Sequence, residues 1–483
     1  MKKSILILFL LPFSICVSAQ IKNPGFELLR DTLKTQPQSW NYKKTDGFVF
    51  SLDNKVRYTG NTSLRISNNG KANPGTFAPF SQLVAINVTH LKKITLSAYI
   101  KTDSVSGSAG LWCQVWDKNK KTIGFESLQT QNVVVNGTRN WAQYSVTLVV
   151  DSNAKQLLAG GFLMGSGAVW YDDFSVGDMP GRNDPPSKEV KKFIEEFTDI
   201  IKQNAIYKDS LNWAAMQPDI DKLSKGLKTV NEAAVVTAYI MGKLRAAGDH
   251  HSFIQTRISA EGYAKSDLDP ARPYAKLLNG KIGYINVPGF ASINDTAGVH
   301  FATAIQQLIH GLDSANVING WIVDLRNNSG GNMWPMIAGL GPLIGNGTLG
   351  YFVNARYENK WVYKNGNDGS VSVKNPYTVK SPGTKIAVLI GPGTVSSGEA
   401  TVISFIGKPN VKLLGQPTGG YTTANNGFKL SNGAYLYLAT SYEADRNKKK
   451  YLGKISPDIL VDKPAKDNND PAIDAATNWI MGK

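Results

Sequence analysis

The chain has 483 residues, of which 42% are apolar, so it is long enough for about two to four domains with their own hydrophobic cores. It carries 53 basic and 37 acidic residues, a formal net charge of +16, but the basic residues are scattered and the one real run is the three lysines at 448–450. This scatter argues against a nucleic-acid-binding protein, which clusters its basic residues on one face.

The first 19 residues have the pattern of a secretory signal peptide. Lys2 and Lys3 precede an apolar run, and Val17-Ser-Ala19 is a small-residue cleavage site before Gln20. Once Cys16 is removed with the peptide, Cys113 is alone and no intrachain disulfide can form. No later apolar run reaches the ~18 residues of a membrane span. We expect export to the periplasm or the cell exterior and no transmembrane span.

Residues 20–176 alternate between apolar and polar residues, as β-strands with one buried face do. Four such runs, separated by turns rich in Gly, Asn, Asp and Lys, are 62–67, 94–100, 111–116 and 144–149. Their spacing is typical of a sandwich. We therefore expect an all-β sandwich that has its own core.

Several segments of this region resemble carbohydrate-binding modules of the families 4 and 9 type, which are jelly rolls. The matching stretches are Asn23-Pro-Gly-Phe-Glu27, Gly60-Asn-Thr-Ser-Leu64, Trp141 and Trp170-Tyr-Asp-Asp-Phe174. The resemblance implies a structural calcium ion held by Glu27 with Asp172 or Asp173, since carboxylates are hard oxygen ligands. A hydrogen-bonded clasp between the same acids is the alternative.

The same resemblance implies a glycan partner, which needs aromatic side chains beside polar edges. Five aromatic residues are available as platforms: Tyr58, Trp112, Trp116, Phe125 and Trp141. Because a strand buries every second side chain, some of the five belong to the core, and many domains of this fold bind no glycan.

Residues 177–186 are rich in Pro, Gly and Asp and form a predicted linker. Ser187 then caps a predicted helix to Ile201, whose apolar residues share one face. Further helices are predicted over 218–226 and, from the capping box Thr229-Val-Asn-Glu232, over 229–247. We expect a small helical subdomain over 187–265.

Residues 266–483 show the pattern of an α/β core. A buried strand at 281–287, a helix at 297–312 and a strand ending at Asp324 form the order of a right-handed crossover. Another buried strand, 385–390, leads through Ser396 into a helical pattern from Glu399. A hydroxyl at such a corner lies beside the positive end of a helix, which favours a developing oxyanion. Ser396 and Glu399 are equally a capping box, Ser-x-x-Glu.

Five short motifs occur in a fixed order along the chain. They are Asp-x-His-Ser at 249–252, Asp-Leu-Arg-Asn-x-x-Gly-Gly at 324–331, Ser-x-x-Glu at 396–399, Gly-x-x-Thr-x-Gly at 415–420 and Pro-Asp at 457–458. Together they resemble the tail-specific, or C-terminal-processing, serine peptidases of family 41, which also contains tricorn protease and the interphotoreceptor retinoid-binding proteins. The resemblance covers roughly 190–465. It implies a serine peptidase that acts on polypeptides and needs no cofactor for catalysis.

The family has a lysine form and a histidine form, which differ in the base that activates the serine. In the lysine form the base directly follows Gly-x-x-Thr-x-Gly, where this chain has Tyr421; Lys429 is the nearest replacement. The histidine form takes its base from Asp-x-His-Ser, which corresponds to His251, with His250 as a neighbour. A purely structural histidine pair or a zinc site are the alternatives, and zinc lacks the Cys and i,i+4 partners it prefers.

The resemblance implies that Ser396 is the nucleophile. The oxyanion hole would combine the N–H of Ser397, the next residue, with that of Gly330 or Gly331.

One departure from the histidine form concerns the acid that orients the base. The family has a Glu shortly before the final Pro-Asp, and this chain has Tyr451 close to that position. Glu443 and Asp445 are the candidate replacements.

Taken together, these patterns predict a multidomain protein with a jelly-roll sandwich, a helical subdomain and an α/β peptidase core. Its expected function is that of a secreted serine endopeptidase. The alternative is a catalytically weakened member that binds peptide or a small apolar ligand.

Overall fold

The structure is a computed structural model, and it describes residues 20–30, 36–70, 76–178, 183–257, 259, 272–292, 294–461 and 470–483. The predicted signal peptide lies outside the described residues. The chain forms two compact units. One takes in the chain up to Glu195 together with Asn212–Lys243, and the other takes in Glu196–Leu211 and Leu244–Lys483.

The first unit contains an antiparallel β-sandwich. Its strands are β1 (Asn41–Tyr42), β2 (Phe48–Asp53), β3 (Ser63–Asn68), β4 (Phe77–Ala85), β5 (Lys92–Trp116), β6 (Thr122–Ser127), β7 (Val135–Val150), β8 (Gln156–Met164) and β9 (Gly167–Asp178). The long β5 pairs with β9 over Ile94–Asp103 and with β8 over Ser108–Trp116. It therefore passes from one layer, β2-β3-β9-β5-β7, into the other, β1-β4-β8-β5-β6.

The sandwich is closed by an apolar core between its layers. Inward residues alternate with outward ones along β4, as the sequence pattern predicts. Trp40, Phe26 and Phe80 are almost completely buried, and the Phe26 and Trp40 ring centroids lie 5.1 Å apart. The predicted jelly-roll sandwich is confirmed.

Three helices follow the sandwich: α1 (Lys188–Asn204), α2 (Trp213–Ser224) and α3 (Ala234–Ala246). The predicted apolar face of α1 is buried. The prediction for the second helix was wrong at its start, because Asn212 accepts a hydrogen bond from the Ala215 N–H and begins α2 ahead of Pro218. The capping box at Thr229 and Glu232 is present and opens a short 3-10 turn before α3.

The predicted domain boundaries do not coincide with the compact units. Residues 212–243 group with the sandwich, on the other side of the predicted linker at 177–186. Lys93 Nζ of β5 donates to the carbonyls of Leu223 and Lys225, and Lys222 Nζ donates to the Leu91 carbonyl. The boundaries at 20–176, 187–265 and 266–483 stay predictions.

The second unit contains the α/β core. Its elements after α3 are β10 (Phe253–Gln255), β11 (Tyr274–Leu278), β12 (Ile282–Asn286), α4 (Asp295–Ala315), β13 (Gly320–Asp324), α5 (Met333–Ile344), β14 (Gly347–Val353), β15 (Glu358–Tyr363), β16 (Lys385–Ile390), α6 (Ser397–Ile403), β17 (Val411–Gly415), β18 (Thr423–Lys429), β19 (Tyr435–Asp445), β20 (Ile459–Leu460) and α7 (Pro471–Met481). The first sheet runs β11-β12-β13-β16-β17-β20 and is parallel from β12 onward. The predicted α/β class is confirmed.

A second, antiparallel sheet stands beside the first in this unit. Its order is β10-β19-β14-β15, and β18 also pairs with β19. Since β13 and β16 are parallel neighbours in register, the loops after Asp324 and Ile390 leave the first sheet at the same edge. The loop after β13 carries Gly330 and Gly331, and the loop after β16 carries Ser396.

In the described parts of the chain, no helix is both long and apolar enough to span a membrane.

Candidate active site

Ser396 lies where β16 turns into α6, as predicted. Its backbone has φ 55° and ψ −124°, a region that residues with a side chain rarely adopt. Holding such a conformation costs about 1–3 kcal/mol, which the surrounding contacts must offset. Gly330 approaches this corner closely, since a Cβ there would lie 3.0 Å from Ser396 Cβ and 2.8 Å from the Val395 carbonyl oxygen.

Glu399 holds the corner in place. Its carboxylate is fully buried and accepts hydrogen bonds from the N–H groups of Ser396 (3.0 Å), Gly420 (2.9 Å) and Tyr421 (2.7 Å). The Thr418 hydroxyl also donates to it. Burial raises the pKa of Glu399, and these hydrogen bonds act against that rise. The predicted capping acid thus also ties the segment 418–421 to the turn that carries Ser396.

Asp249 positions His251. The Asp249 carboxylate is buried and accepts hydrogen bonds from the N–H groups of His251 (3.0 Å) and Ser252 (2.8 Å) and from the Ser252 hydroxyl (2.5 Å). The Ser252 hydroxyl accepts a bond from the Ala439 N–H, which fastens this turn to β19. His250 points its side chain into solvent.

The structure brings His251 and Ser396 together. His251 Nε2 lies 3.0 Å from Ser396 Oγ, and His251 Nδ1 lies 2.9 Å from Thr423 Oγ1. Burial lowers the pKa of His251, and a hydrogen bond to the Thr423 backbone and the negative charge of Asp249 partly oppose this change. A neutral imidazole that touches a serine hydroxyl is poised to act as a base.

Tyr421 occupies the position of the lysine in the other form of the family. Its ring packs edge-on against the His251 ring, with centroids 5.4 Å apart and planes at 70°. Lys429 lies at the far end of β18, six residues or about 20 Å beyond Thr423. It is therefore too distant to act as the base, which leaves that position to His251.

Neither predicted orienting acid reaches His251. The carboxylate of Asp445 accepts hydrogen bonds from the N–H groups of Asn447 (2.8 Å) and Lys449 (3.1 Å) and from the Tyr451 hydroxyl (3.0 Å). Among the described residues, Glu443 Oε2 is buried without a hydrogen-bond partner. Burial, together with the charge of Glu399, raises the pKa of Glu443 well above its usual value.

A register shift explains why these acids miss the imidazole. Asn425 pairs with Ala439, but Thr423 pairs with Tyr442, so β19 has one extra residue between the two pairs. An extra residue moves all later side chains of the strand to the other face. Glu443 therefore lies on the face opposite to Thr423. The residue that takes the place of the acid, Thr423, was missed by sequence reasoning, because no local pattern distinguishes it.

Two backbone N–H groups are available beside Ser396. The Ser397 N–H lies in the first turn of α6 and donates to no atom of the described residues, and the same holds for the Gly331 N–H. The Gly330 N–H is already used, since it donates to Asn328 Oδ1 at 3.0 Å. Of the two predicted glycines, the structure thus favours Gly331 as the second donor. The Ser397 hydroxyl donates to the Gly331 carbonyl at 2.6 Å and holds the two loops together.

The three acids proposed for calcium lie in the sandwich and act as hydrogen-bond acceptors. Glu27 Oε1 accepts bonds from the N–H groups of Asn61 and Thr62 at 2.8 and 3.1 Å. Asp172 Oδ2 accepts bonds from two more N–H groups, at 2.9 and 3.2 Å, and Asp173 Oδ2 accepts one from the Thr59 hydroxyl. Within the described residues, no group of three or more His, Cys, Asp or Glu is arranged to hold a metal ion. These hydrogen bonds are the ones that the clasp alternative requires, and the calcium site stays a prediction.

Comparison with known proteins finds a matching family model and several relatives of this chain. A family model described as peptidase family S41 matches residues 281–461, which include Ser396, Gly331 and Thr423 but not His251. The nisin-resistance protein of Lactococcus lactis subsp. lactis is 32% identical over 320 residues, which cover 65% of this chain and 92% of that protein. A carboxyl-terminal-processing protease of Synechocystis sp. is 25% identical over 202 residues, or 41% of each chain. The solved structure of a lipoprotein from Streptococcus agalactiae has 28% identity and a TM-score of 0.51, covering 63% of this chain and 99% of that one.

Proposed function

The chain belongs to peptidase family S41 and is a serine peptidase, and on this premise we propose that it is an endopeptidase that cleaves polypeptides through an acyl-enzyme on Ser396. The contact that carries this proposal is the 3.0 Å separation of His251 Nε2 and Ser396 Oγ. It occurs at a strained corner, beside two unpaired N–H donors.

In the proposed reaction, Ser396 Oγ attacks the carbonyl carbon of the scissile peptide bond while His251 Nε2 takes the hydroxyl proton. The N–H groups of Ser397 and Gly331 stabilise the resulting oxyanion. The imidazolium then gives its proton to the departing amine, and a water molecule hydrolyses the ester by the same route. No cofactor is needed for any step.

Thr423 determines how strongly the imidazolium is stabilised. With Nδ1–H donating to the Thr423 hydroxyl, Nε2 is left free to accept the proton of Ser396. A neutral hydroxyl stabilises a cation less than a carboxylate does, because hydrogen bonds to a charged partner are about twice as strong. This observation supports slow turnover. It also supports a second candidate function, that of a weakened peptidase that binds peptide or a small apolar ligand.

The experiment that tests the proposal is Ser396→Ala. We expect the variant to lose hydrolysis of an unfolded protein substrate and labelling by a fluorophosphonate. Its melting temperature should change little, because the Ser396 hydroxyl contributes at most one capping hydrogen bond to α6, which is worth about 1 kcal/mol. Full hydrolysis by the variant would end the proposal. A wild-type protein that is labelled but hydrolyses nothing would favour the binding function.

Export and glycan binding extend the proposal. The signal-peptide pattern at 1–19 supports export, and the N-terminus of the exported protein should then be Gln20.

A cluster of aromatic rings on the sandwich supports glycan binding. Tyr58 stacks on Tyr99 with centroids 3.6 Å apart, and Trp141 lies 6.0 Å from Tyr58. This half-exposed cluster supports a glycan platform. Retardation of the protein in polysaccharide gels, lost in Trp141→Ala, is the expected result.

A further inference from the structure

An exposed strip of aromatic rings runs along the sheet that contacts His251. Phe253 of β10 pairs in register with Tyr437 of β19, which pairs with Gly427 of β18. The Phe253 and Tyr437 rings stack with centroids 5.0 Å apart, and Tyr435 continues the row 6.2 Å from Tyr437. Phe253 is 48% exposed, although burial of such a ring is normally favourable. We refer to Phe253, Tyr437 and Tyr435 as the aromatic strip.

The aromatic strip shares a face of the sheet with His251. Thr423, whose hydroxyl contacts His251, and Gly427 are four residues apart in β18 and therefore lie on one face, and Tyr437 pairs with Gly427 on that same face. The neighbouring strand agrees with this placement, since Asn425 Nδ2 donates to the His251 carbonyl at 3.0 Å. Asn425 is two residues before Gly427 in β18. Phe253 is two residues from His251 along the chain, so the strip begins within about 7 Å of the backbone of the base.

β18 offers an unpaired edge beside the strip. Within the described residues, β19 is the one strand that pairs with β18. The backbone groups of alternate β18 residues thus face outward, as at any edge strand. Gly427 is exposed there, and the Tyr437 ring leans over it, since a Cβ on Gly427 would lie 3.1 Å from the ring. Because Gly427 has no Cβ, the Tyr437 ring can lie over β18 near its outer edge.

We propose that substrate polypeptide adds as a further strand along the outer edge of β18 and places an apolar or aromatic side chain against Tyr437, the ring of the aromatic strip that leans over β18. The inference rests on the proposed peptidase function and names the substrate class of that site. Backbone pairing at an edge gives affinity without regard to sequence, whereas the side-chain contact gives selectivity. Because strand side chains alternate, only every second substrate residue reaches the aromatic strip.

The test uses internally quenched octapeptides in which a single Phe is moved through a Ser-rich sequence. In the full chain we expect Phe to raise kcat/KM about tenfold at one position and less at the position two residues away, within the range that apolar pockets discriminate. Tyr437→Ala should remove the preference, and Phe253→Ala, which takes away the ring stacked behind Tyr437, should reduce it. Phe125→Ala is the matched control, since Phe125 is also 48% exposed but lies in the sandwich, and it should keep the preference.

Two measurements separate the failure of this inference from the failure of the proposed function. Labelling of Ser396 by a small fluorophosphonate needs only the nucleophile and should proceed at the wild-type rate in both strip variants, which also shows that they are folded. Absence of labelling and hydrolysis in the wild type overturns the peptidase proposal. Normal hydrolysis without a positional preference for Phe, or a preference that both variants retain, overturns the inference.

A substrate variant tests the strand addition without changing the protein. N-methylation of every second amide of the preferred peptide removes donors that would pair with β18. One of the two alternating sets should lower kcat/KM at least tenfold, and the other set should have little effect. Equal effects of both sets would contradict an added strand.

Discussion

The sandwich and the peptidase core both use buried carboxylates to hold loops, but only the core leaves reactive groups beside them. In the sandwich, Asp172 accepts hydrogen bonds from the Tyr58 and Thr59 N–H groups. In the core, Glu399 does the same for the Ser396, Gly420 and Tyr421 N–H groups. In both units the acid replaces water for backbone donors that secondary structure leaves unpaired.

The loops held by Asp172 and by Glu399 differ in the groups that they leave unpaired. The donors around Asp172 are used by the clasp itself. Next to Glu399, the N–H groups of Ser397 and Gly331 donate to no described atom, and the Ser396 hydroxyl meets an imidazole. A loop held by a carboxylate therefore becomes a reaction site only when it keeps donors unpaired beside a nucleophile and a base.

The largest expected effect tests whether the reactive pair is the one assigned. His251→Ala should lower kcat/KM on a fluorogenic peptide by about four orders of magnitude, because removal of a member of such a constellation leaves only the binding groups and the oxyanion donors. His250→Ala is the control and should change kcat/KM less than threefold, since that side chain points into solvent. The reverse order of losses would contradict the assignment of the base.

The second prediction compares the two carboxylates directly. Glu399→Gln places an amide NH2 against backbone donors and should lower kcat about a hundredfold, because both Ser396 and the segment 418–421 lose their anchor. Asp172→Asn makes the same chemical change in the sandwich. Both variants should lower the melting temperature by a few degrees, but Asp172→Asn should keep kcat within twofold of the wild type. Equal effects of the two variants on kcat would remove the functional distinction between the loops.

The third prediction concerns the partner of the base. Thr423→Val removes the hydroxyl at His251 Nδ1 and should lower kcat about tenfold. Glu443→Gln and Asp445→Asn are the controls and should stay within threefold, because neither carboxylate reaches the imidazole. A loss of several orders of magnitude in Glu443→Gln would restore Glu443 as the orienting acid.

The same variant has a pH signature. His251 acts as a base only when neutral, and burial lowers its pKa, so kcat/KM should fall only as pH drops through a value below 6.5. A hydrogen bond to the backbone of Thr423 raises the pKa of His251. Thr423→Val keeps that backbone group, so the acidic limb of the profile should stay in place although kcat falls. A limb that moves to lower pH would show that the Thr423 hydroxyl also raises the pKa of His251.

The smallest expected effect concerns calcium at the sandwich clasp. Burial raises the pKa of Asp172 to about 6, so its contribution to stability is present below pH 3.8 and is lost as pH rises through 6. A calcium ion bound to Asp172 would offset this loss of stability at pH 7.5. Millimolar calcium should therefore raise the melting temperature by a few degrees relative to chelator. At pH 5 protonation of Asp172 should weaken the effect. Identical melting in calcium and chelator at both pH values would leave only the hydrogen-bonded clasp.

The sequence by itself determined the features that depend on local pattern. Alternation in the sandwich, the buried apolar runs at 281–287 and 385–390, and the corner at Ser396 follow from periodicity and from the residues that start helices. The order of the five motifs was enough to identify the peptidase family and to propose Ser396 as the nucleophile, His251 as the base and Ser397 as an oxyanion donor. The predicted start of the second helix at 218 is wrong, because Asn212 caps α2 and the helix begins at Trp213.

Only the tertiary structure decided which partners those groups meet. Thr423 reaches His251 across 172 residues of sequence, and the extra residue in β19 turns Glu443 away from the imidazole. The choice between Gly330 and Gly331 depends on Asn328, whose side chain consumes the Gly330 N–H. Strand register, bulges and the use of single backbone donors arise from packing between distant segments, so they leave no periodic trace in the sequence.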